Sequence, residues 1–148
     1  MARRTARRPT ASRAVTDSSP CPCGLPRTYA ECCGPALRGH APSTAEALMR
    51  SRFTAFVLDD AAYVLNTWHP RTRPREVEAD SQLRWERLEV LESSGGGLFD
   101  AEGVVEFRAH YRDRGRPGDL HERSRFVRAD GAWVYWGPIL TDGSLSGI

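Results

Sequence analysis

Three segments decide the fold: VVEFRAHYR (104–112), LHERSRFVR (120–128) and AWVYWG (132–137). Here the spacing of hydrophobic residues changes from helical to alternating, which is typical of β-strands that bury one face. The alternation is clearest in the first segment, where every second residue from Val105 to Tyr111 falls on one face. Arg114–Gly118 and Asp130-Gly131 predict the turns between the strands. We therefore expect three consecutive antiparallel strands.

The region upstream of these strands predicts two helices. Ser43-Thr-Ala-Glu46 is typical of a capping box, in which a hydroxyl and a carboxylate satisfy exposed backbone amides, and it predicts a helix that runs to about Leu58. Asp59-Asp60 ends that helix and caps a second one over 61–67. His69-Pro70 ends the second helix, because proline disfavours helical geometry in the residue before it.

A further strand follows at Trp85–Glu92, and Gly95–Gly97 predicts a flexible turn after it. Two helices followed by a four-stranded antiparallel meander predict an α+β domain over residues 43–148, with the helices packed on one face of the sheet.

Composition narrows the protein class. The chain has 148 residues and a net charge of +2, and all 21 of its basic residues are arginine. Without lysine, Schiff-base chemistry is excluded, and no apolar run approaches the roughly 20 residues of a transmembrane helix. The charge is uneven, since residues 1–42 hold seven arginines against Asp17 and Glu31.

Residues 1–20 are rich in Arg, Ala, Ser and Thr and contain little that can pack. We expect a disordered basic tail, because too little apolar surface is present to offset the entropy lost on ordering. An organelle transit peptide and an arm that contacts nucleic acid or the ribosome are weaker alternatives.

All four cysteines lie in the segment CPCGLPRTYAECC (21–33). Adjacent Cys32 and Cys33 are poorly placed to form a disulfide with each other, and so are Cys21 and Cys23. Four thiolates match a closed tetrahedral zinc site, which predicts a structural zinc knuckle over residues 21–40. Copper(I), an iron–sulfur cluster, and disulfides or free thiols remain as weaker alternatives.

The chain also resembles known families. CPCG (21–24) and YAECCG (29–34) are similar to the SEC-C zinc motif, a knuckle that also occurs at the C-terminus of the SecA translocase. AEALMRSRFTAFVLDDAAYVLNTWHP (45–70) and LHERSRFVRADGAWVY (120–135) resemble the YchJ-like family of bacterial proteins. The resemblance covers about residues 20–137. It implies the cone-shaped α+β fold of the nuclear transport factor 2 (NTF2) superfamily.

Such cones can enclose a pocket between the sheet and the helices. Alternation along the third segment places Glu122 on the face that carries Ser124 and Phe126, and places Arg123 on the opposite face with His121 and Arg125. We expect the face with the arginines to be solvated and paired with Glu89, Glu92 or Glu106. The candidate pocket residues are Trp68, His69, Tyr111, Glu122 and Arg123.

No strong catalytic constellation is visible in the sequence, which favours a binding protein over an enzyme. The leading hypothesis is a cytoplasmic adaptor that docks on a protein or a ribosome-associated surface through its zinc knuckle, with no membrane partner. The alternative is a small-molecule-binding or hydrolytic cone with a cavity near His69, Glu122 and Arg123. The oligomeric state is open.

Overall fold

The computed structural model describes residues 14–78 and 80–139. Of the predicted tail over 1–20, residues 1–13 therefore lie outside the described residues. Within this part of the chain the helices are α1 (Gly34–Leu37), α2 (Ala45–Val57) and α3 (Ala61–Asn66), with a 3-10 turn at Tyr29–Glu31. The strands are β1 (Leu83–Gly95), β2 (Glu102–Asp113), β3 (Arg116–Ala129) and β4 (Ala132–Ile139).

The four strands form one antiparallel sheet in the order β1-β2-β3-β4. This is the predicted meander, and the α+β class is confirmed. The strands are longer than predicted, because the predicted turn at Arg114–Gly118 closes over only two residues. Arg114 and Gly115 both have positive φ, as a tight hairpin turn requires, and Arg116 already pairs with Asp113. Asp130-Gly131 forms the second predicted hairpin in the same way.

Helix α2 begins one residue later than the capping box predicts. Thr44 is the N-cap, and its hydroxyl accepts a hydrogen bond from the Ala47 amide at 3.1 Å. Glu46 therefore does not close a capping box with Ser43. It pairs instead with Arg50, one turn along the helix, at 3.0 Å. As predicted, Asp60 caps α3 by accepting from the Tyr63 amide.

The core lies between α2 and the inner face of the sheet. The helix contributes Leu48 and Phe53, which are almost fully buried. Val105, Phe107 and Ala109 of β2 face them, as the alternation predicts. The complete buried cluster is Ala45, Leu48, Met49, Phe53, Val57, Leu88, Val105, Phe107, Ala109, Phe126 and Trp133.

The glycine turn after β1 is a packed contact rather than a free loop. A Cβ built on Gly103 would lie 2.5 Å from the Cα of Gly96 and 3.2 Å from the side chain of Ala45. The Gly96 carbonyl also accepts the Ala45 amide at 2.9 Å. The start of α2 is thus fixed to the end of the sheet at a point where only glycines fit.

The cysteine segment sits beside α2, and α1 follows it directly. Residues just before it are part of the same unit, since the carbonyls of Asp17 and Ser19 accept the amides of Ala30 and Tyr29. The knuckle thus begins before the predicted boundary at residue 20. Among the described residues, no helix has the length and hydropathy needed to cross a membrane.

Candidate metal centre and interior cavity

The four cysteines converge on one point. Their sulfur atoms all lie within 4.8 Å of one another, and the Sγ atoms of Cys23 and Cys32 are 3.5 Å apart. A tetrahedral zinc site with Zn–S bonds of about 2.3 Å has S–S edges of roughly 3.8 Å, so this spacing fits a single tetrahedral ion. No cysteine among the described residues forms a disulfide. The donor set is therefore able to hold a metal ion.

The local backbone explains how so short a segment can converge. The Cys21 amide donates to the Arg27 carbonyl, and the Gly24 amide donates to the Cys21 carbonyl, so the first two cysteines lie on a closed turn. The 3-10 turn and the start of α1 carry Cys32 and Cys33 back to the same side. Cys21, Cys23 and Cys33 are buried, whereas Cys32 is partly exposed.

Three of the crowded thiols, those of Cys21, Cys32 and Cys33, have shifted pKa values. Hydrogen bonds from Cys23 and Cys33 lower the pKa of the Cys21 thiol. The same hydrogen bond with Cys21 raises the pKa of Cys33, while burial raises the pKa of Cys32 to about 12. The Cys21 thiolate is thus favoured, while Cys32 and Cys33 hold their protons. A divalent cation would displace those protons and make all four sulfurs ligands.

The cluster is attached to α2 on one side. The Arg50 guanidinium donates to the Cys23 carbonyl at 3.0 Å, and the Cys21 sulfur lies 3.9 Å from the Thr54 hydroxyl. Thr54 is fully buried, so this contact is shielded from solvent. His40, the only histidine near the segment, is exposed and is not one of the converging ligands.

A second candidate site is a cavity of about 210 Å³ under the other face of α2. Its walls are mostly apolar and aromatic, and five polar side chains reach it. The lining residues are Met49, Arg52, Phe53, Phe56, Trp68, Trp85, Phe107, Ala109, Leu120, Glu122, Ser124 and Tyr135.

Arg52 is the most unusual of these residues, because it is charged and only 4% exposed. Its Nη1 donates to the Val64 carbonyl at 2.7 Å and to the Thr67 hydroxyl at 2.8 Å. Its guanidinium carbon lies 5.1 Å from the Trp68 ring centre and 4.6 Å from that of Tyr135. Burial lowers the pKa of Arg52 to about 10, so it remains a cation near neutral pH.

Glu122, on β3, is the acidic residue of the cavity lining. Its Oε2 accepts hydrogen bonds from the Tyr135 hydroxyl, at 2.7 Å, and from Ser124. Burial, reinforced by the charge of Glu122, raises the pKa of Tyr135 well above its usual value, so the phenol keeps its proton and remains a donor. The cavity thus contains one fixed cation and one hydrogen-bonded carboxyl group.

Trp68 supplies a hydrogen-bond donor that has no acceptor. Its Nε1 is buried and makes no hydrogen bond within the part of the chain that the structure describes. The ring packs edge-on against Tyr135, with 5.0 Å between ring centres. A buried N–H without a partner carries a free-energy cost of about 1–3 kcal/mol.

The expected pocket of His69, Glu122 and Arg123 is not formed. Arg123 lies on the outer face of the sheet, 3.3 Å from Glu106 and 3.8 Å from Glu92, because alternation along β3 turns it away from the cavity. His69 packs against Trp136, and its Nδ1 accepts the Arg71 amide at 3.0 Å. The ring therefore caps a local turn outside the cavity lining.

Tyr111, the other predicted pocket residue, also lies outside the lining. It is on the inner face as the alternation predicts, but near the far end of β2, where its ring packs against Trp85 with centres 5.3 Å apart. Of the predicted pocket residues, the structure therefore brings together only Trp68 and Glu122. On the outer face, Arg123 forms the predicted pairs with Glu92 and Glu106, and His121 also bonds Glu106 at 2.6 Å. Glu89 pairs instead with His110, and Arg125 pairs with Glu102.

Sequence reasoning missed Arg52, Ser124 and Tyr135 as cavity residues. A signal for Arg52 exists: it lies three residues after Met49 and four before Phe56, which places an arginine on the apolar stripe of α2. No comparable signal marks Tyr135, because its position depends on the β3–β4 register, which shifts between Arg125 and Phe126.

Comparisons with known proteins agree with this architecture. The family model for the middle NTF2-like domain of YchJ matches residues 44–138, and the SEC-C motif matches residues 18–35. A UPF0225 protein of Streptomyces coelicolor is 56% identical over 117 residues, which cover 78% of this chain and 91% of that protein. A UPF0225 protein of Bordetella pertussis is 48% identical over 125 residues, covering 80% and 92%.

Two solved structures are also similar. The solution structure of a SEC-C motif containing protein from Rhodopseudomonas palustris aligns with a TM-score of 0.72 and 36% identity, covering 82% of this chain and 98% of that one. The crystal structure of a SEC-C motif containing protein from Psychrobacter arcticus aligns with a TM-score of 0.63 and 26% identity, covering 89% and 86%.

Proposed function

The chain belongs to the YchJ-like family of UPF0225 proteins, and from this premise we propose that it is a zinc-binding adaptor of the cytoplasm. The convergence of four sulfur atoms within 4.8 Å carries the proposal. Thiolates are soft ligands, and four of them around one ion are typical of structural zinc. Zinc there orders the knuckle, and with four protein ligands it leaves no open position for water or substrate.

The metal content tests this proposal directly. Protein purified and reconstituted in reducing buffer should contain one zinc ion per chain, and Cys32→Ser should lose it. His40→Ala is the matched control, because His40 lies close by in sequence but outside the cluster, and it should retain the metal. Absence of zinc from the reconstituted protein, or an iron–sulfur absorption spectrum, would overturn the zinc assignment.

The adaptor role rests on the exposed arginines of the knuckle. Arg27 and Arg38 are exposed there, although a 3.8 Å pair with Asp17 partly compensates Arg38. The arginine-rich residues 1–13 directly precede this unit in sequence, outside the described residues. A basic surface attracts acidic proteins and the phosphates of ribosomal RNA.

Docking is tested by measuring the affinity of the chain for purified ribosomes. Proteins that an immobilised chain retains are also identified, and the affinity of each is then measured with the purified protein. Arg27→Glu combined with Arg38→Glu leaves all four cysteines intact and should weaken binding at least tenfold, as should removal of zinc. Arg87→Glu combined with Arg112→Glu, both on the outer face of the sheet, is the charge-matched control and should bind normally. If the unmodified protein, the zinc-free protein and both sets of variants bind equally well, docking through the knuckle is excluded.

A further inference from the structure

We propose that the cavity beneath α2 binds a small monocarboxylate that contains one ring, and that one edge of the Arg52 guanidinium holds the two carboxylate oxygens. This site uses none of the cysteines and is independent of the metal and docking proposals. Its evidence is a buried arginine with an unpartnered edge, the lack of an ion pair for that arginine among the described residues, and the size and apolar walls of the cavity.

One edge of the Arg52 guanidinium has no protein partner. The hydrogen bonds of this group come from Nη1, which donates to the Val64 carbonyl at 2.7 Å and to the Thr67 hydroxyl at 2.8 Å. Nε and Nη2, which form the other edge, donate to no described residue. Both are within reach of water, because Trp68 Nε1 is the only unpartnered side-chain nitrogen sealed from solvent in the described part of the chain.

The free edge opens on the cavity. Arg52 is only 4% exposed, so little of its surface can be reached from any direction. Its Nη1 end lies against α3, and the rings of Trp68 and Tyr135 lie beside its guanidinium carbon, with their centres 5.1 and 4.6 Å away. All three side chains line the cavity. The cavity is therefore the open space next to Nε and Nη2.

Arg52 also lacks a counter-ion. Glu122, the acidic residue of the lining, accepts hydrogen bonds from Tyr135 and Ser124 through Oε2 and forms no ion pair with Arg52. No other carboxylate in the described ranges pairs with this arginine. A buried cation with free N–H groups is energetically costly. An anion at the free edge would satisfy these donors and compensate the charge.

The shape of the edge selects a carboxylate. The N–H groups of Nε and Nη2 point in parallel, and their spacing matches the two oxygens of a carboxylate, which they bind with two charge-assisted hydrogen bonds. A neutral carbonyl offers one oxygen and no charge, so it uses this edge less fully. The arginine thus supplies both the orientation of the ligand and its selectivity for an anion.

The size of the cavity sets the size of the ligand. At about 210 Å³ it exceeds the roughly 150 Å³ of an engineered apolar protein cavity that binds benzene. One six-membered ring with a carboxylate therefore fits, whereas a nucleotide or a peptide does not. Phe53, Phe56, Trp85 and Phe107 present aromatic rings from three different elements, and these walls favour a ring over an inorganic anion.

Two probes of similar size test the proposal: benzoate and the neutral ketone acetophenone. Binding at pH 7 is followed by the NMR signal of the Arg52 Nε–H, which is identified by its nuclear Overhauser contacts with the Trp68 ring. Benzoate should shift this signal and bind at least tenfold more tightly than acetophenone, as expected for hydrogen bonds to a charged group. Absence of benzoate binding, or tighter binding of acetophenone, would overturn the proposal.

Arg52→Lys keeps the charge but removes the parallel pair of donors, and it should weaken benzoate binding at least tenfold while acetophenone binds as before. Arg50→Lys is the matched control, because Arg50 lies on the same helix but contacts the knuckle, and it should bind benzoate normally. Benzoate bound elsewhere, on a chain with 21 arginines, would be insensitive to Arg52→Lys, and that result would also overturn the proposal.

Glu122→Gln tests the charge within the cavity. The amide oxygen can still accept from Tyr135, but a negative charge is removed, so this variant should bind benzoate at least as tightly as the unmodified protein. Weaker binding would contradict recognition of the anion by Arg52. If Arg52→Lys fails to fold, the ratio of the two probes and the shifted Nε–H signal in the unmodified protein decide.

Discussion

The knuckle and the cone differ in how much apolar surface they bury. In the knuckle, three buried cysteines are surrounded only by partly buried Leu25, Tyr29, Cys32 and Leu37, and a unit this small cannot bury enough apolar surface to fold alone. In the cone, α2 and four strands enclose a continuous apolar core. The difference teaches that side-chain packing stabilises the cone, whereas the knuckle would draw its folding free energy from the zinc ion that we propose it binds.

The two regions meet on α2. Arg50 and Thr54 contact the knuckle, whereas Arg52 and Phe53 face the cavity and core. A helix that is rigid because of its core contacts gives the knuckle a fixed base. The converse dependence is weak, because the core cluster contains no cysteine. The two regions should therefore respond separately to most changes.

Removal of the metal has the largest expected effect. Chelation of zinc should unfold the knuckle, because structural zinc contributes roughly 10–16 kcal/mol in small zinc-finger peptides. Hydrogen exchange should show loss of protection over 21–37, with β2 and β3 unchanged. Equal loss in the sheet would show that the cone also depends on the metal, and the distinction between the regions would fail.

Arg52→Met tests how much the buried arginine of α2 contributes to the stability of the cone. The change leaves the Val64 carbonyl and the Thr67 hydroxyl without this donor and removes the cation that faces Glu122. We expect a loss of about 1–3 kcal/mol in the free energy of unfolding, measured with denaturant. Arg87→Met, which removes an exposed arginine paired with Glu89 at 3.6 Å, should cost less than about 1 kcal/mol. Similar losses for both variants would contradict the role of burial.

Gly103→Ala tests the contact between the sheet and the start of α2. The new Cβ would lie 2.5 Å from the Gly96 backbone, so one of the two must move, at a cost of about 1–3 kcal/mol. Gly137→Ala is the control on the same sheet, because its Cβ meets nothing within 4 Å. Thermal unfolding should separate the two variants, and zinc content should be normal in both. A normal melting temperature for Gly103→Ala would show that the contact is loose.

The smallest expected effect is a loss of stability at high pH that depends on Tyr135. Burial raises the pKa of Tyr135, so the folded state retains a proton that the unfolded state loses near pH 10. The stabilisation is fully present below pH 10, and it declines above that by about 1.4 kcal/mol per pH unit until the folded pKa is reached. Tyr135→Phe should show a shallower decline than the unmodified protein. An identical slope would mean that Tyr135 is not protected from ionisation.

Local patterns were sufficient for the secondary structure and for the cluster of four cysteines. The Asp60 cap of α3, the Asp130-Gly131 hairpin and the alternation along β2 each depend on neighbours in sequence, and the structure contains all three. The cysteines are also close in sequence, so a turn and a short helix suffice to bring them together. The capping-box pattern predicted Ser43 as the N-cap of α2, but the N-cap is the next residue, Thr44.

The cavity could not be derived in the same way, because its walls come from residues as far apart as Met49 and Tyr135. Alternation correctly placed Glu122 inside and its neighbour Arg123 outside. It could not show that α2 lies above Glu122 and brings Arg52, or that the β3–β4 register brings Tyr135. By itself, the sequence determined the α+β class, the four converging thiols and the charged outer face, since each depends on local geometry. Only the tertiary structure decided which polar groups share the interior, because that depends on how helix and sheet pack across long separations in the chain.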